Sequence, residues 1–307
     1  MSHANHTTSI TKAWLAAARP RTLPLALASI TLGAFLAAAN NVLNLPVAIL
    51  AALTATLLQI LSNLANDYGD SIHGADHLER LGPARAVQSG QISARAMRAA
   101  IVLVALLAAI SGLSLLWLAF GAQALLLFLV FILLGAAAIG AAVTYTAGKR
   151  PYGYAGLGDI AVLIFFGWVG VLGTYFLQAQ QLDWTLLLPA TSCGLLAVAV
   201  LNINNIRDIE SDKRAGKYSI PVRLGPRKAR LYHWILLAGV VLTACLYVLL
   251  NYHSPWQFLF LLSLPLLWQN GQAVAHTTDP RRLNPLLKHM SLTTLFFVLT
   301  FGIGQIL

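Results

Sequence analysis

Nine stretches of the chain, near residues 22–39, 45–65, 98–118, 121–143, 157–178, 184–205, 231–250, 255–274 and 290–307, are apolar almost without interruption. No other feature restricts the fold as tightly, because about twenty apolar residues are what a helix needs to cross the hydrocarbon of a bilayer. They predict an all-α, polytopic membrane protein with nine transmembrane helices. The sequence lacks the alternating apolar and polar strands of a barrel, so helices must satisfy the backbone hydrogen bonds inside lipid. Only 10% of the 307 residues are charged, against about one quarter in a soluble globule. The chain therefore reads as one membrane-embedded domain over 1–307, with 1–20 as a polar N-terminal segment and membrane lipid as its solvent. Lys12 and Arg19 stand in that segment, and no short apolar core with a small-residue cleavage site follows, so the first helix is expected to act as its own insertion signal. Cys193 and Cys245 both fall inside apolar stretches, where packing is the expected role.

The bases are distributed on one side. They lie before the first stretch (Lys12, Arg19, Arg21), between the second and third (Arg80, Arg85, Arg95, Arg98) and between the fourth and fifth (Lys149, Arg150). The others lie between the sixth and seventh (Arg207 to Arg230) and between the eighth and ninth (Arg281, Arg282, Lys288). By the positive-inside rule the N-terminus is cytoplasmic and nine crossings put Leu307 on the opposite side of the cell (inner) membrane. The net charge of +10 is thus mainly a topology signal, and no nucleic-acid module interleaves these charges.

Polar residues concentrate at two places. Gln59, Asn63, Asn66 and Asp70 follow one another at spacings of four, three and four at the end of the second helix, which is one helix face. Asp67 adjoins that stripe and is expected to converge with Asp70 on a shared ligand; Asp76 and Glu79 follow in the loop. At the end of the sixth helix Asn204, Asp208 and Asp212 are four apart on one face, while Glu210 points about 200° away from Asp208. Carboxylates at a helix C-terminus oppose the macrodipole and are unfavourable without a cation, and Asn, Gln and Asp at membrane depth mark functional paths. Hard oxygen donors without cysteine suit Mg²⁺, which takes one or two carboxylates and completes its shell with phosphate oxygens. Arg80, Arg85, Lys213, Arg214 and Lys217 stand beside the clusters to hold the remaining phosphate charge, so the residues describe a diphosphate site. His73 and His77 read as loop residues.

"NDYGDSIHGAD" (66–76) and "DIESD" (208–212) resemble the two aspartate-rich motifs of the UbiA superfamily of intramembrane aromatic prenyltransferases. "RAVQSGQIS" (85–93), "YTAGKRP" (145–151) and "KYSIPVRLG" (217–225) are similar to further segments of that family in the expected order. "ARPRTLPLA" (18–26), "LLQILSNLANDYGD" (57–70), "RPYGYAGLGDIAVLIFFGW" (150–168) and "LNINNIRDIESD" (201–212) resemble the branch that prenylates 1,4-dihydroxy-2-naphthoate. Asp76 follows Asp70 by six residues, where many members of the superfamily have four.

The resemblance implies a nine-helix bundle around a central cavity, capped by the loops after the second and sixth helices. It implies transfer of a polyprenyl group from polyprenyl diphosphate to 1,4-dihydroxy-2-naphthoate, with loss of CO₂ and diphosphate, in menaquinone synthesis. The implied metal ligands for Mg²⁺ are Asp67, Asp70, Asn66, Asp208, Asp212 and Asp76. Tyr145 and Lys149 would organise acceptor and diphosphate, Arg150 or Lys149 would orient the acceptor carboxylate, and Asn63, Asn66, Arg85, Asn204, Lys213 and Lys217 would bind substrate. Asp159 is expected to serve only as a salt-bridge partner of these bases, and Phe165, Phe166 and Trp168 are candidates to line the cavity. Two alternatives are a prenyltransferase for another aromatic acceptor such as 4-hydroxybenzoate and, from a different class, a cation-coupled transporter with its ions near the bilayer midplane. A CDP-alcohol phosphotransferase would gather its aspartates in one motif rather than two.

A reporter fused after Leu307 is expected outside the cytoplasm and one inserted in the 71–96 loop inside it; reporters on the same side would remove the nine-crossing arrangement.

Overall fold

The computed structural model describes residues 10–72, 85–121, 124–148 and 150–307. Asp76 and Lys149 lie outside them, as do His73, His77, Glu79 and Arg80. Among the described residues nine helical stretches are long and apolar enough to cross a membrane, and no strand occurs.

The first span joins α1 (Ile10–Ala18) to α2 (Leu23–Ala39) through a 3-10 turn at Pro20–Thr22. Arg19 takes the left-handed conformation there (φ 49°), and its carbonyl accepts both the Thr22 N–H and hydroxyl at 2.9 Å. The second span, α3 (Leu45–Ile72), continues seven residues past the apolar stretch, so the first acidic motif remains helical through Asp70. α4 (Ala94–Phe120) starts at Ser93, whose side chain accepts the Ala96 N–H, a standard N-cap. α5 (Leu125–Thr144) has no buried residue and forms an outer wall.

The fifth span differs most from a simple helix. α6 (Gly158–Val162) passes into a π-helical segment, Leu163–Leu172, before α7 (Gly173–Ala179). The segment packs closely where glycines face it. A Cβ on Gly167 would lie 2.6 Å from the Ala190 carbonyl oxygen, and one on Gly170 would lie 2.7 Å from Cβ of Ser29. Small residues of this kind let membrane helices approach backbone to backbone. A π-helix has its own side-chain period, which an α-helical reading of an all-apolar stretch does not reveal.

α8 (Leu187–Arg207) is the central helix, packed against α10, the π segment and α12. α9 (Ile209–Arg214) carries the rest of the second motif. α10 runs Ile220–Leu250, eleven residues earlier than the apolar stretch begins, and bends at Gly225 (φ 76°) and Pro226. The eighth span opens as a 3-10 segment, Pro255–Ser263, and continues as α11 (Leu264–His276); α12 covers Leu283–Ile306. Polar side chains bind this half together. His233 on α10 meets the Asn270 Oδ1 on α11 at 3.1 Å, and Asn270 reaches the Leu286 carbonyl and the His289 ring on α12, both at 3.2 Å.

Large apolar side chains such as Leu125, Leu126, Leu133, Leu242 and Leu249 are exposed on the outside, as lipid solvation requires. Trp117, Trp184, Tyr252 and Trp256 are exposed near helix ends on the face opposite the acidic motifs, where an aromatic belt meets the interface.

Gly167→Leu is expected to cost about 1–3 kcal/mol, the usual range for overpacking, because the rigid Ala190 backbone stands in the way. Thermal unfolding in detergent measures it, and an unchanged midpoint would show that the π segment has room to move.

Candidate active site

At the end of α3 the predicted stripe faces a single cavity: Gln59, Asn63, Asn66 and Asp70 all line it. Asp70 is ion-paired with Arg85, and the Tyr154 hydroxyl lies 3.4 Å from its Oδ1. The Thr146 hydroxyl donates to Asn66 Oδ1 at 3.0 Å. Gly69 allows this contact, because a Cβ there would meet the Thr146 backbone at 2.6 Å. Asn63 is committed to the first span: its amide donates to the Ala18 carbonyl and the Thr22 hydroxyl, both at 2.9 Å, and its oxygen accepts from Gln59.

Asp67 does not converge with Asp70. Its two carboxylate oxygens accept the backbone N–H groups of Ala86 (3.0 Å) and Val87 (3.1 Å), and it is not among the cavity-lining residues. The side chain therefore fastens the 85–93 segment, and with it Arg85, over the end of α3.

The second motif faces the same cavity through Asn204, Asp208, Ser211 and Asp212. The Arg207 guanidinium grips both oxygens of Asp208 (2.8 and 2.5 Å), donates to Asn204 Oδ1 (2.8 Å) and reaches Asn284 Oδ1 on α12 (2.7 Å). Lys217 Nζ lies 3.3 Å from both Asp212 oxygens. Burial pushes the Asp212 carboxyl up to about 6 against the opposing pull of Lys217, with Asp208 and Asp70 adding to the rise. For Lys217, burial alone disfavours the charge, yet Asp212, Tyr145, Asp70 and Asp208 together hold the ammonium above its ordinary value. Glu210 is exposed and does not line this cavity, as its angle on the helix predicts.

Tyr145 sits between the clusters at the end of α5 and lines the cavity. Burial raises its hydroxyl pKa, Lys217 opposes the rise, and Asp212, Asp159 and Asp70 reinforce it, so the group stays a neutral donor. The segment after it folds around its ring. The Gly153 N–H donates to the Tyr145 carbonyl, and a Cβ on Gly158 would touch the hydroxyl at 3.0 Å. Arg150 and Lys213 are exposed and absent from the cavity lining. Asp159 is held by the Tyr232 hydroxyl at 3.0 Å rather than by Arg150.

The cavity measures about 920 Å³. Its mouth holds the acids and bases, Phe165 and Phe166 of the π segment line its wall, and Leu116, Phe131 and Leu177 line its deep end. Trp168 turns away and donates to the Thr191 hydroxyl at 3.1 Å. A charged mouth over an apolar shaft suits an amphiphile with an anionic head.

Residues 26–299 match the UbiA prenyltransferase family. The chain belongs to that family. A 1,4-dihydroxy-2-naphthoate octaprenyltransferase of Escherichia coli (strain K12) is 49% identical over 97% of this chain and 97% of its own. The enzyme of that name from Haemophilus influenzae is 46% identical over 96% of both chains. Among solved structures, a UbiA homolog from Aeropyrum pernix K1 superposes with a TM-score of 0.68 at 19% identity, covering 93% of this chain and 97% of that one. A UbiA homolog from Archaeoglobus fulgidus bound to GPP and Mg²⁺ gives 0.65 at 17% identity over 96% and 99%. This UbiA chain is thus a multi-pass membrane protein with the fold of intramembrane prenyltransferases.

The donors fit a hard divalent cation, though not as a ready-made cluster. No three acidic, histidine or cysteine side chains among the described residues converge on one metal position. Instead Asp70, Asp208 and Asp212 face one mouth with Asn66 and Asn204, which matches an ion that takes one or two carboxylates and keeps water or phosphate for the rest. Sequence reasoning missed Arg207, Asn284, Thr146 and Tyr154, because their roles depend on helices distant in sequence. Only the adjacency of Arg207 to Asp208 was open to view.

Asp67→Asn puts an amide where two N–H groups need acceptors. We expect a loss of about 1–3 kcal/mol and faster amide exchange across 85–93. Unaltered protection there would refute the fastening role of Asp67.

Proposed function

We propose that this chain is a prenyltransferase that moves a polyprenyl group from its diphosphate to 1,4-dihydroxy-2-naphthoate, giving the reduced, dihydroxy form of demethylmenaquinone, CO₂ and diphosphate. The observation that carries this is the single cavity with both acidic motifs at its mouth and an apolar shaft below. The acceptor is supported by the relatives, which are named for it at 49% and 46% identity; their octaprenyl donor is the one to try first. Residues 1–307 act as one unit, with the mouth at the cytoplasmic face of the inner membrane, in keeping with the one-sided bases.

Asp70, Asp208 and Asp212 hold the divalent ion, Mg²⁺ in this reading, with Asn66 and Asn204 as auxiliary oxygen donors. When bound, such an ion supplies electrostatic stabilisation of the charge that builds on the departing diphosphate. Arg85 and Lys217 stand against these carboxylates, line the cavity and are in place to take diphosphate oxygens, while Arg207 fixes Asp208 from behind. Tyr145, neutral and next to Lys217, donates a hydrogen bond to the leaving group or acceptor. The apolar shaft keeps water from the allylic carbon once its C–O bond weakens. Asp76 and Lys149 keep the metal and substrate roles that the family resemblance implies.

The bonds balance simply. The allylic C–O pair leaves with diphosphate, the ring carbon bearing the carboxylate gives its π electrons to the allylic carbon, and the C–CO₂ bond returns an electron pair to the ring. The prenyl group enters where CO₂ leaves, so no ring proton has to be removed. With 4-hydroxybenzoate the carboxylate would stay and a ring proton would need a base.

Purified protein with Mg²⁺, octaprenyl diphosphate and carboxyl-labelled 1,4-dihydroxy-2-naphthoate should release the label as gas, and excess EDTA should stop it. Asp70→Asn, Asp208→Asn and Asp212→Asn are each expected to lower turnover about a hundredfold or more, with Glu210→Gln mild. Retained label, or activity in EDTA, would overturn the reading.

A further inference from the structure

The cavity mouth has a base that sequence spacing assigns to a loop. Lys288 lies within α12, and Asn284, Lys288 and Ser291 all line the cavity. Their spacing of four and three puts them on one helix face. The other cations that line the mouth are engaged: Arg85 with Asp70, Lys217 with Asp212, and Arg19 and Arg21 in contacts of their own. Lys288 alone among the described bases of the mouth makes no hydrogen bond or ion pair within the protein.

Its depth is informative. Asn284 accepts from Arg207 at 2.7 Å, which fixes the start of α12 at the level of the Asp208 pair. Four residues further along the helix, the backbone of Lys288 stands about 6 Å deeper, and its exposed side chain faces the open cavity. A diphosphate at the acidic level has its allylic carbon one oxygen below phosphorus, towards the shaft. The attacking ring carbon must come within about 3–3.5 Å of that carbon, and the carboxylate is bonded to the attacking carbon. A base rooted one helical turn below the acids is within reach of the acceptor's carboxylate, while Arg85 and Lys217 stand beside the acids at the diphosphate level.

Resting on the activity proposed above, we propose that Lys288 binds the carboxylate of the aromatic acceptor and so selects a 2-carboxylated ring, the role expected, from the sequence, of Arg150 or Lys149. Asn284 and Ser291 flank it. The ammonium orients the ring with its carboxyl-bearing carbon towards the allylic carbon, and neutral CO₂ no longer binds it after the C–C bond forms.

The test uses full-length protein in detergent and measures binding of 1-hydroxy-2-naphthoate and of 1-naphthol, which lacks the carboxylate, by calorimetry, beside steady-state kinetics. Lys288→Gln should weaken 1-hydroxy-2-naphthoate about 10- to 100-fold, the range for a lost charge-assisted hydrogen bond. It should raise KM for the naphthoate acceptor to match and leave 1-naphthol and the KM for octaprenyl diphosphate unchanged. Lys288→Arg should restore most of the affinity, and Arg150→Gln should change none of it. Equal weakening of 1-naphthol, a shifted diphosphate KM, or unaltered acid binding in Lys288→Gln would overturn the assignment. Wild-type protein that binds 1-hydroxy-2-naphthoate through Lys288 yet does not prenylate the naphthoate would overturn the activity and keep the anion site.

Discussion

Charge neutralisation at one end of the bundle is the interaction on which the rest depends. Asp67, Asp70, Asp208 and Asp212 are 2%, 6%, 5% and 7% exposed, and a buried carboxylate without a partner is prohibitively unfavourable. Each has its own: two backbone N–H groups for Asp67, then Arg85, Arg207 and Lys217. Such pairs add little to stability relative to apolar packing, so their value lies in what they position. In the proposed reading, a divalent ion held by Asp70, Asp208 and Asp212 would free Arg85 and Lys217 for the oxygens of a diphosphate, so that both sets of charges would stay compensated.

Holding Asp70, Asp208 and Asp212 at one mouth, from segments distant in sequence, demands a framework that does not yield. α8 provides it. The helix is buried along most of its length between the π segment, α10 and α12, and Gly167 and Gly194 let the π segment lie against it at backbone distance. The Asn270 and His233 contacts tie α10, α11 and α12 into the same body. Arg207 then links the end of α8 to α12 through Asn284. The second motif is fixed from behind while its carboxylates face the cavity, which is what a preorganised electrostatic site requires.

Much of this was legible in the sequence, and the limits have physical causes. The spans were readable because lipid imposes a length, and the two acidic faces because helical spacing survives to Asp70 and nearly to Asp212. Asp67 was misplaced since a carboxylate's partner can be a backbone group from a loop, here Ala86 and Val87, which leaves no trace in side-chain spacing. That Lys288 lines the cavity and Arg150 does not was hidden for a related reason. Both stand near a predicted membrane boundary, and charge alone does not say which side of its helix or turn a base faces. The boundary itself moved, because α12 begins at Leu283, well before the apolar stretch, and that shift carries Lys288 from the loop into the wall.

The far end of the cavity decides between chemistry and transport. A cation-coupled transporter needs polar groups near the midplane and a route to both faces. Here the acids sit at one end, and Leu116, Phe131 and Leu177 line the other, packed with Phe120 and Phe176 into an apolar cluster. The rings of Phe120, Phe131 and Phe176 lie 5.3–6.3 Å apart, the separation of aromatic side chains in contact. A hydrated ion entering at the mouth would have to shed its water against hydrocarbon to go further, a cost of many kcal/mol. An isoprenoid tail meets the opposite situation, since its apolar surface gains by entering the same shaft. The polarity gradient along one cavity thus admits an amphiphile head-last and stops an ion at the acids, which makes the site a place where a diphosphate is held and its tail sheltered.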